Sequence, residues 1–194
     1  IGALSKGKDF DKDLLAPLRR AHKIRQYTGR PVSITTQFVV GAADESDSEI
    51  LTTSTSLYSG LSLARAYYSA FQPISDTPLE NHPPTPAWRE HRLYQADFLL
   101  RQYGFALQEI IFQQDGNLAR EADPKLQWAL HHPEFFPLEI NAASPEELLR
   151  IPGIGPVSAR RIVQQRRQAR LKDLSHIRLT GADSGRAAPF ILLD

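Results

Sequence analysis

At 194 residues, 41% apolar and 23% charged, the chain is large enough to bury a core in one domain or two small ones, and too apolar for a disordered tail. It contains no cysteine, which excludes disulfides, a thiol nucleophile and a cysteine-held metal cluster within these residues. The net charge of +1 hides an imbalance: residues 141–194 carry 9 Lys+Arg against 5 Asp+Glu, while the remainder is slightly acidic.

No apolar run reaches the length of a membrane span, and IGALSKGKDF has no apolar stretch before a cleavage site, so a cytoplasmic protein without a membrane partner is expected. The absence of methionine, with isoleucine first, suggests a fragment of a longer chain or modified residues missing from the string. FDKDLLAPLRRAHKIRQY places Leu14, Leu15, Leu18 and Ile24 at helical spacing, with Gly29 as a stop. SITTQFVVGA, rich in β-branched residues, predicts a buried strand. SDSEILTTSTSLYSGL predicts a helix weakened by its Ser/Thr content, and RAYYSAFQP a second strand. This alternation favours an α/β unit with parallel strands. Five of the 14 prolines then fall between Pro73 and Pro86, the mark of a linker or a surface wrap. AWREHRLYQADFLLRQYGF predicts an amphipathic helix carrying Leu93, Leu100 and Tyr103 and ended by Gly104. DPKLQWALHHPEFF predicts a short helix begun by Asp123 and Pro124 and stopped by Pro133.

The last unit begins at Leu138. Ser144 has the place of an N-cap, with Pro145 at the first helical position and Glu147 set to close a capping box. PEELLRI meets PGIG, and Pro156 opens a helix running to about Gln168. Between Arg150 and Lys172 stand seven basic residues and no acid, which suggests an anionic polymer as partner or else a solvated basic face. Glycines let a backbone turn sharply and approach a ligand, and the turn feeds a helix N-terminus whose N–H groups favour an anion. Such a site, with arginines in the following turns, binds phosphodiester without reading bases. At an offset of 26 residues, Leu148, Ile151, Gly155, Ser158 and Arg160 match Leu174, Ile177, Gly181, Ser184 and Arg186 as a weak internal repeat.

INAASPEELLRIPGIGPVSARRIV resembles the helix-hairpin-helix motif of DNA-binding and repair proteins over the whole motif. The resemblance implies that Gly153, Ile154 and Gly155 donate amides to a DNA phosphate, Ile154 also filling the hairpin. Arg160 and Arg161 join them, as does Ser158, at a position where many members carry lysine. LSHIRLTGADSGRAAPF is a degenerate second copy expected to pair with the first. The alternative is a hairpin that only packs two helices.

TTQFVVGAADESDSEI, RAYYSAFQPISDTPLE and REHRLYQADFLLRQYGF resemble the later part of a radical SAM protein family implicated in DNA modification or repair. That resemblance implies a partial TIM-like barrel followed by a helical segment and the same C-terminal hairpin. It places Gly41 and Ala42 of VVGAADESD against S-adenosylmethionine, with Ser69, Phe71 and Gln72 lining the same pocket. An ordinary strand-to-helix turn capped by Asp44 or Ser46 is the equal alternative. The family's CxxxCxxC motif, which holds a [4Fe–4S] cluster, is missing, so cofactor and cluster are expected only for a full-length protein and this chain should be inactive alone. Adjacent His131 and His132 cannot chelate one metal well, and His91 with Asp97 suits a surface or packing role. Trp88, Tyr94 and Trp128 suit either core packing or stacking on bases.

The sequence therefore predicts an α/β partial barrel over residues 1–80, a proline-rich linker and helical connector over 81–137, and an all-α helix-hairpin-helix domain over 138–194. The function expected is phosphate-directed DNA binding within a radical SAM modification or repair protein, with a DNA-repair protein as a further partner. The rival is a non-enzymatic DNA-binding or protein-interaction module.

Overall fold

The computed structural model describes residues 7–30 and 32–193. They divide into two compact units: one runs to Tyr94 and includes Phe112–Leu118, and the other takes Gln95–Ile111 and the chain from Ala119 onward. The partition falls inside the stretch 81–137 that composition marks as a connector.

In the first unit, a π turn over Asp11–Leu15 leads into α1 (Ala16–Thr28), closed by Gly29 at φ +63°. The helix forms as its periodicity predicts, but no residue of it is buried, and Leu14 and Ile24 stay exposed. β1 (Thr35–Val40) pairs in parallel with β2 (Arg65–Ala70), from Thr35 opposite Arg65 to Val40 opposite Ala70. The two are joined by α2 (Asp47–Leu61), giving one βαβ crossover. Ser46 caps α2 and Glu49 completes the capping box. The helix tolerates its hydroxyls because Thr53, Ser54, Ser56 and Ser59 each donate to the carbonyl four residues back.

Asp47 lies at the start of α2 with no exposed surface. Its Oδ1 accepts from Arg89 Nε at 2.7 Å, on α3 (Ala87–Gln102), and its Oδ2 accepts from the Leu118 N–H at 2.9 Å. Burial nonetheless raises its carboxyl pKa above the usual range, more than these two donors lower it. Ser48 N–H donates to Gly116 O at 3.0 Å and Asp47 N–H to Asn117 Oδ1 at 3.2 Å, so residues 112–118 are stitched to α2 at three points. Among the described residues β1 and β2 pair only with each other, so the α/β character seen among them is this one crossover, and no barrel fragment is shown.

The second unit is helical. α4 (Pro124–His131) is capped by Asp123, whose carboxylate accepts from the Lys125 and Leu126 amides. After the short strand β3 (Leu138–Glu139) come α5 (Pro145–Leu148), α6 (Pro156–Arg166), α7 (Leu174–Leu179) and α8 (Ser184–Ala187). β4 (Ile191–Leu192) then returns to pair in parallel with β3. Ile140, Leu148, Ile151, Ile154, Ile162 and Ile177 form the core between the four helices. Buried aliphatic groups of this size contribute about 1.5–3 kcal/mol each, enough to hold a unit whose helices are individually too short to persist alone.

Candidate nucleic-acid interface

Ser144 accepts from the Glu147 N–H at 3.1 Å, and the Glu147 carboxylate accepts from the Ser144 N–H at 2.6 Å. This capping box starts α5, whose first residue is Pro145. The turn that follows separates the duties of the two hairpin glycines. Gly153 has φ +86°, and a Cβ there would stand 2.4 Å from the Asp183 carbonyl oxygen. Its own carbonyl accepts from the Asp183 N–H at 2.9 Å. Gly153 is thus glycine because the second copy of the motif packs on it. Gly155 has φ −101°, open to any residue, and a Cβ there would meet only the Tyr103 hydroxyl, at 3.2 Å.

Ile154 fills the hairpin from within at 1% exposure, and its N–H donates to Ile151 O at 3.1 Å. Its amide is therefore spent in the turn, contrary to the role the motif resemblance implies for it. The amides of Gly153, Gly155, Val157 and Ser158 have no acceptor among the described residues. Three of these open an eleven-residue helix, where the dipole favours an anion. The Ser158 side chain does not join them: the residue is buried, with its Oγ near Gly181 of the second copy. That burial withdraws its hydroxyl, and not its amide, from the expected DNA contacts.

The basic run splits by environment. Arg150 pairs with Glu109 at 3.0 Å and lies 3.8 Å from the centroid of Phe105. Arg166 donates to the carbonyls of Ile140 and Ala143. These two tie the fold together. Arg161 is exposed and donates one N–H to Thr180 O at 3.2 Å, leaving most of its fork outward. Arg160, Arg167 and Arg170 are exposed and have no acceptor among the described residues. Arg160 and Arg167 line a shallow depression on α6 with Val157.

The second copy sits differently from the offset the sequence suggests. Gly181 has φ +84° and stands three residues before α8, as Gly153 stands three before α6. The structural offset is therefore 28 residues, and Asp183 occupies the N-cap place held by Gly155. Its carboxylate accepts from the Arg186 N–H at 3.1 Å, so this hairpin caps itself with a negative charge.

Two residues without any sequence signal support the first hairpin. Lys125, 7% exposed, donates from Nζ to Ile154 O at 2.5 Å and lies 4.8 Å from the Tyr103 ring centroid. Burial pulls its pKa down to about 7, against the opposing pull of Asp123. Burial raises the Tyr103 hydroxyl pKa.

In the first unit, the glycine turn expected to cradle a cofactor is already filled. A Cβ on Gly41 would lie 2.1 Å from Thr85 Oγ1, and the Glu45 carboxylate takes the N–H groups of Gly41 and Ala43. Ala42 is buried. These residues form a strand-to-helix turn, with Ser46 as the cap, and do not fit direct backbone contact with S-adenosylmethionine. Ser69 belongs to β2, Phe71 is buried with its ring edge to His82, and Gln72 donates to Thr85 O. Tyr94 accepts from the Tyr68 N–H and donates to Tyr68 O, and Trp128 is buried among Phe105, Phe135 and Phe136, so neither offers a face to a base. Trp88 is half-buried. Asp97 is buried and paired with Arg101 while His91 faces solvent, and His131 and His132 each bond a different helix carbonyl. Among the described residues no group of three or more His, Asp or Glu could hold a metal ion.

No curated protein and no solved structure matches the chain. Residues 137–179, from just before β3 to the end of α7, match the family model described as a helix-hairpin-helix motif, one that commonly binds DNA.

Proposed function

We propose that the second unit holds DNA by its phosphates, without reading bases. The observation that carries the proposal is the set of unengaged amides at Gly155, Val157 and Ser158, opening α6 one turn ahead of the exposed Arg160. A phosphate there would accept from backbone N–H groups that water otherwise satisfies, with Arg160, Arg161 and Arg167 along the neighbouring backbone. Ser158 contributes its amide and not its hydroxyl. The test is affinity for duplex DNA against salt. With two to four phosphates engaged, log affinity should fall against log salt with a slope of about −2 to −4. Arg160→Ala should reduce the magnitude of the slope by about one. Gly155→Val, shown folded by circular dichroism, should cost more affinity than Arg160→Ala, since its branched side chain would press on the Tyr103 hydroxyl, 3.2 Å from the Cβ position, and shift the turn that carries the amides. A salt-independent affinity, or a folded Gly155→Val protein that binds like the parent, would overturn the proposal.

A second reading is favoured by the β1–β2 sheet. Parallel strands normally lie covered on both faces, yet Val39 is 45% and Tyr67 40% exposed and neither strand has a further neighbour among the described residues. We infer a crossover belonging to a larger parallel sheet, in keeping with a radical SAM modification or repair protein. Cluster and S-adenosylmethionine would then be held by cysteine-bearing residues outside these 194. Anaerobic iron–sulfur spectra of a longer gene product test this, and a longer product without cluster absorption would dismiss it.

A further inference from the structure

We infer that Lys125 is a positioning residue for the phosphate site, orienting the Ile154–Gly155 peptide and lending the site its charge from beneath the hairpin. The inference rests on the phosphate-binding reading above and deepens it.

A trans peptide holds its C=O and N–H antiparallel. The Ile154 carbonyl points inward to the buried Lys125 ammonium at 2.5 Å. The Gly155 N–H of the same peptide must then point outward, towards solvent, where it has no acceptor among the described residues. The Tyr103 hydroxyl stands 3.2 Å from where a Cβ on Gly155 would be, and its ring centroid lies 4.8 Å from the ammonium, so the turn rests on both side chains. Without a donor beneath it, the Ile154 carbonyl is free to turn to water and carry the amide away from the phosphate position.

The ammonium is also a buried cation whose field is weakly screened. The charged and titratable groups around it are Asp123 at the start of its own helix, Arg186 on α8, Arg150 after α5, and the Tyr103 hydroxyl. Asp123 is paired with Arg186, and Arg150 with Glu109, so both carboxylates are already matched. Burial leaves Lys125 with a pKa of about 7 in the free protein. A phosphate on the hairpin favours the charged form and raises that value, so binding takes up a proton. Affinity is full below the free value, falls as pH rises between the free and bound values, and levels off above the bound one.

The experiment is a pH series on the full chain with duplex DNA, from pH 6.5 to 9, in wild type, Lys125→Met and Lys125→Gln. A rise of about one unit in the lysine pKa on binding limits the wild-type loss to about tenfold. Lys125→Met, without charge or donor, should bind at every pH more weakly than wild type does at pH 9, where the neutral amine still offers an N–H to Ile154 O. Lys125→Gln keeps an N–H for Ile154 O without the charge, and should bind better than Lys125→Met with an equally flat profile. A Lys125 side chain followed by carbon NMR in the wild type should titrate higher with DNA than without, a readout that needs no variant. The inference is overturned if Lys125→Met matches wild type in affinity and pH profile, or if DNA leaves the lysine titration unmoved. In those cases a folded Gly155→Val protein that has lost binding keeps the phosphate reading in place, and one that binds normally removes both.

Discussion

Gly153 and Gly155 read alike in IPGIG, yet their surroundings predict opposite consequences for a single added methyl. In Gly153→Ala, a non-glycine residue must hold φ +86°, which costs about 1–2 kcal/mol. Its Cβ would also stand 2.4 Å from a backbone oxygen, that of Asp183, which can yield only by moving the second hairpin. Parting the two hairpins breaks the Asp183 N–H to Gly153 O bond, worth about 1 kcal/mol net, and the overpacking adds about 1–3 kcal/mol. The expected loss is about 3–6 kcal/mol. Gly155→Ala keeps an unstrained φ of −101° and presses only on the movable end of Tyr103, at 3.2 Å, so it should cost less than about 1 kcal/mol. Trp128 lies in the aromatic cluster of the second unit, and a Trp88→Phe background leaves it as the sole tryptophan. Urea unfolding followed by Trp128 fluorescence should place Gly153→Ala about 1.5–3 M below the parent, taking m as about 2 kcal/mol/M, and Gly155→Ala within about 0.5 M of it. Equal midpoints for the parent and Gly153→Ala would refute the assignment of Gly153 to hairpin packing. So would a larger loss for Gly155→Ala.

Arg89→Met should destabilise the first unit by about 3–5 kcal/mol at pH 7, because it leaves the Asp47 carboxylate buried without its cation. With that pKa already raised by burial, the folded variant binds a proton the unfolded chain does not, so its deficit against wild type should shrink as pH falls from 7 towards 5, by thermal melts at each pH. Ser158→Ala should leave duplex affinity within about twofold of the parent in a fluorescence anisotropy titration, since Ser158 is buried.

What the sequence made legible is what depends on neighbours along the chain. Ser144, Pro145 and Glu147 form the cap their spacing predicts, Asp123 and Pro124 open α4, and Gly29 takes a left-handed stop. α2 spans the stretch its sequence predicts, but its strength is under-read, because helix propensity discounts Ser and Thr, whereas here their hydroxyls bond the helix's own carbonyls. Partners distant in sequence were not legible. Lys125 lies 29 residues from the carbonyl it holds, and nothing in DPKLQW marks it as part of the hairpin. The basic run reads as one feature, but Arg150 and Arg166 are turned inward by Glu109, Ile140 and Ala143. The apolar positions of α1 are a helix signal and carry no information about what covers them. Matching letters put the repeat two residues out of register, because they align Gly181 with Gly155 and not with the positive-φ Gly153.

The return of residues 112–118 to the first unit sets folding at odds with synthesis. When Tyr94 has been made, both strands of the crossover and the Arg89 partner of Asp47 exist, but Gly116 and the Leu118 N–H do not. A buried carboxylate short of a donor is costly, so the N-terminal unit stays loosely closed while residues 95–111 of the other unit leave the ribosome. Only after Leu118 emerges can the first unit lock, with the opening helix segment of the second already exposed. Nascent chains halted with Tyr94 just outside the tunnel should therefore be more sensitive to protease in the first unit than chains halted with Leu118 outside it.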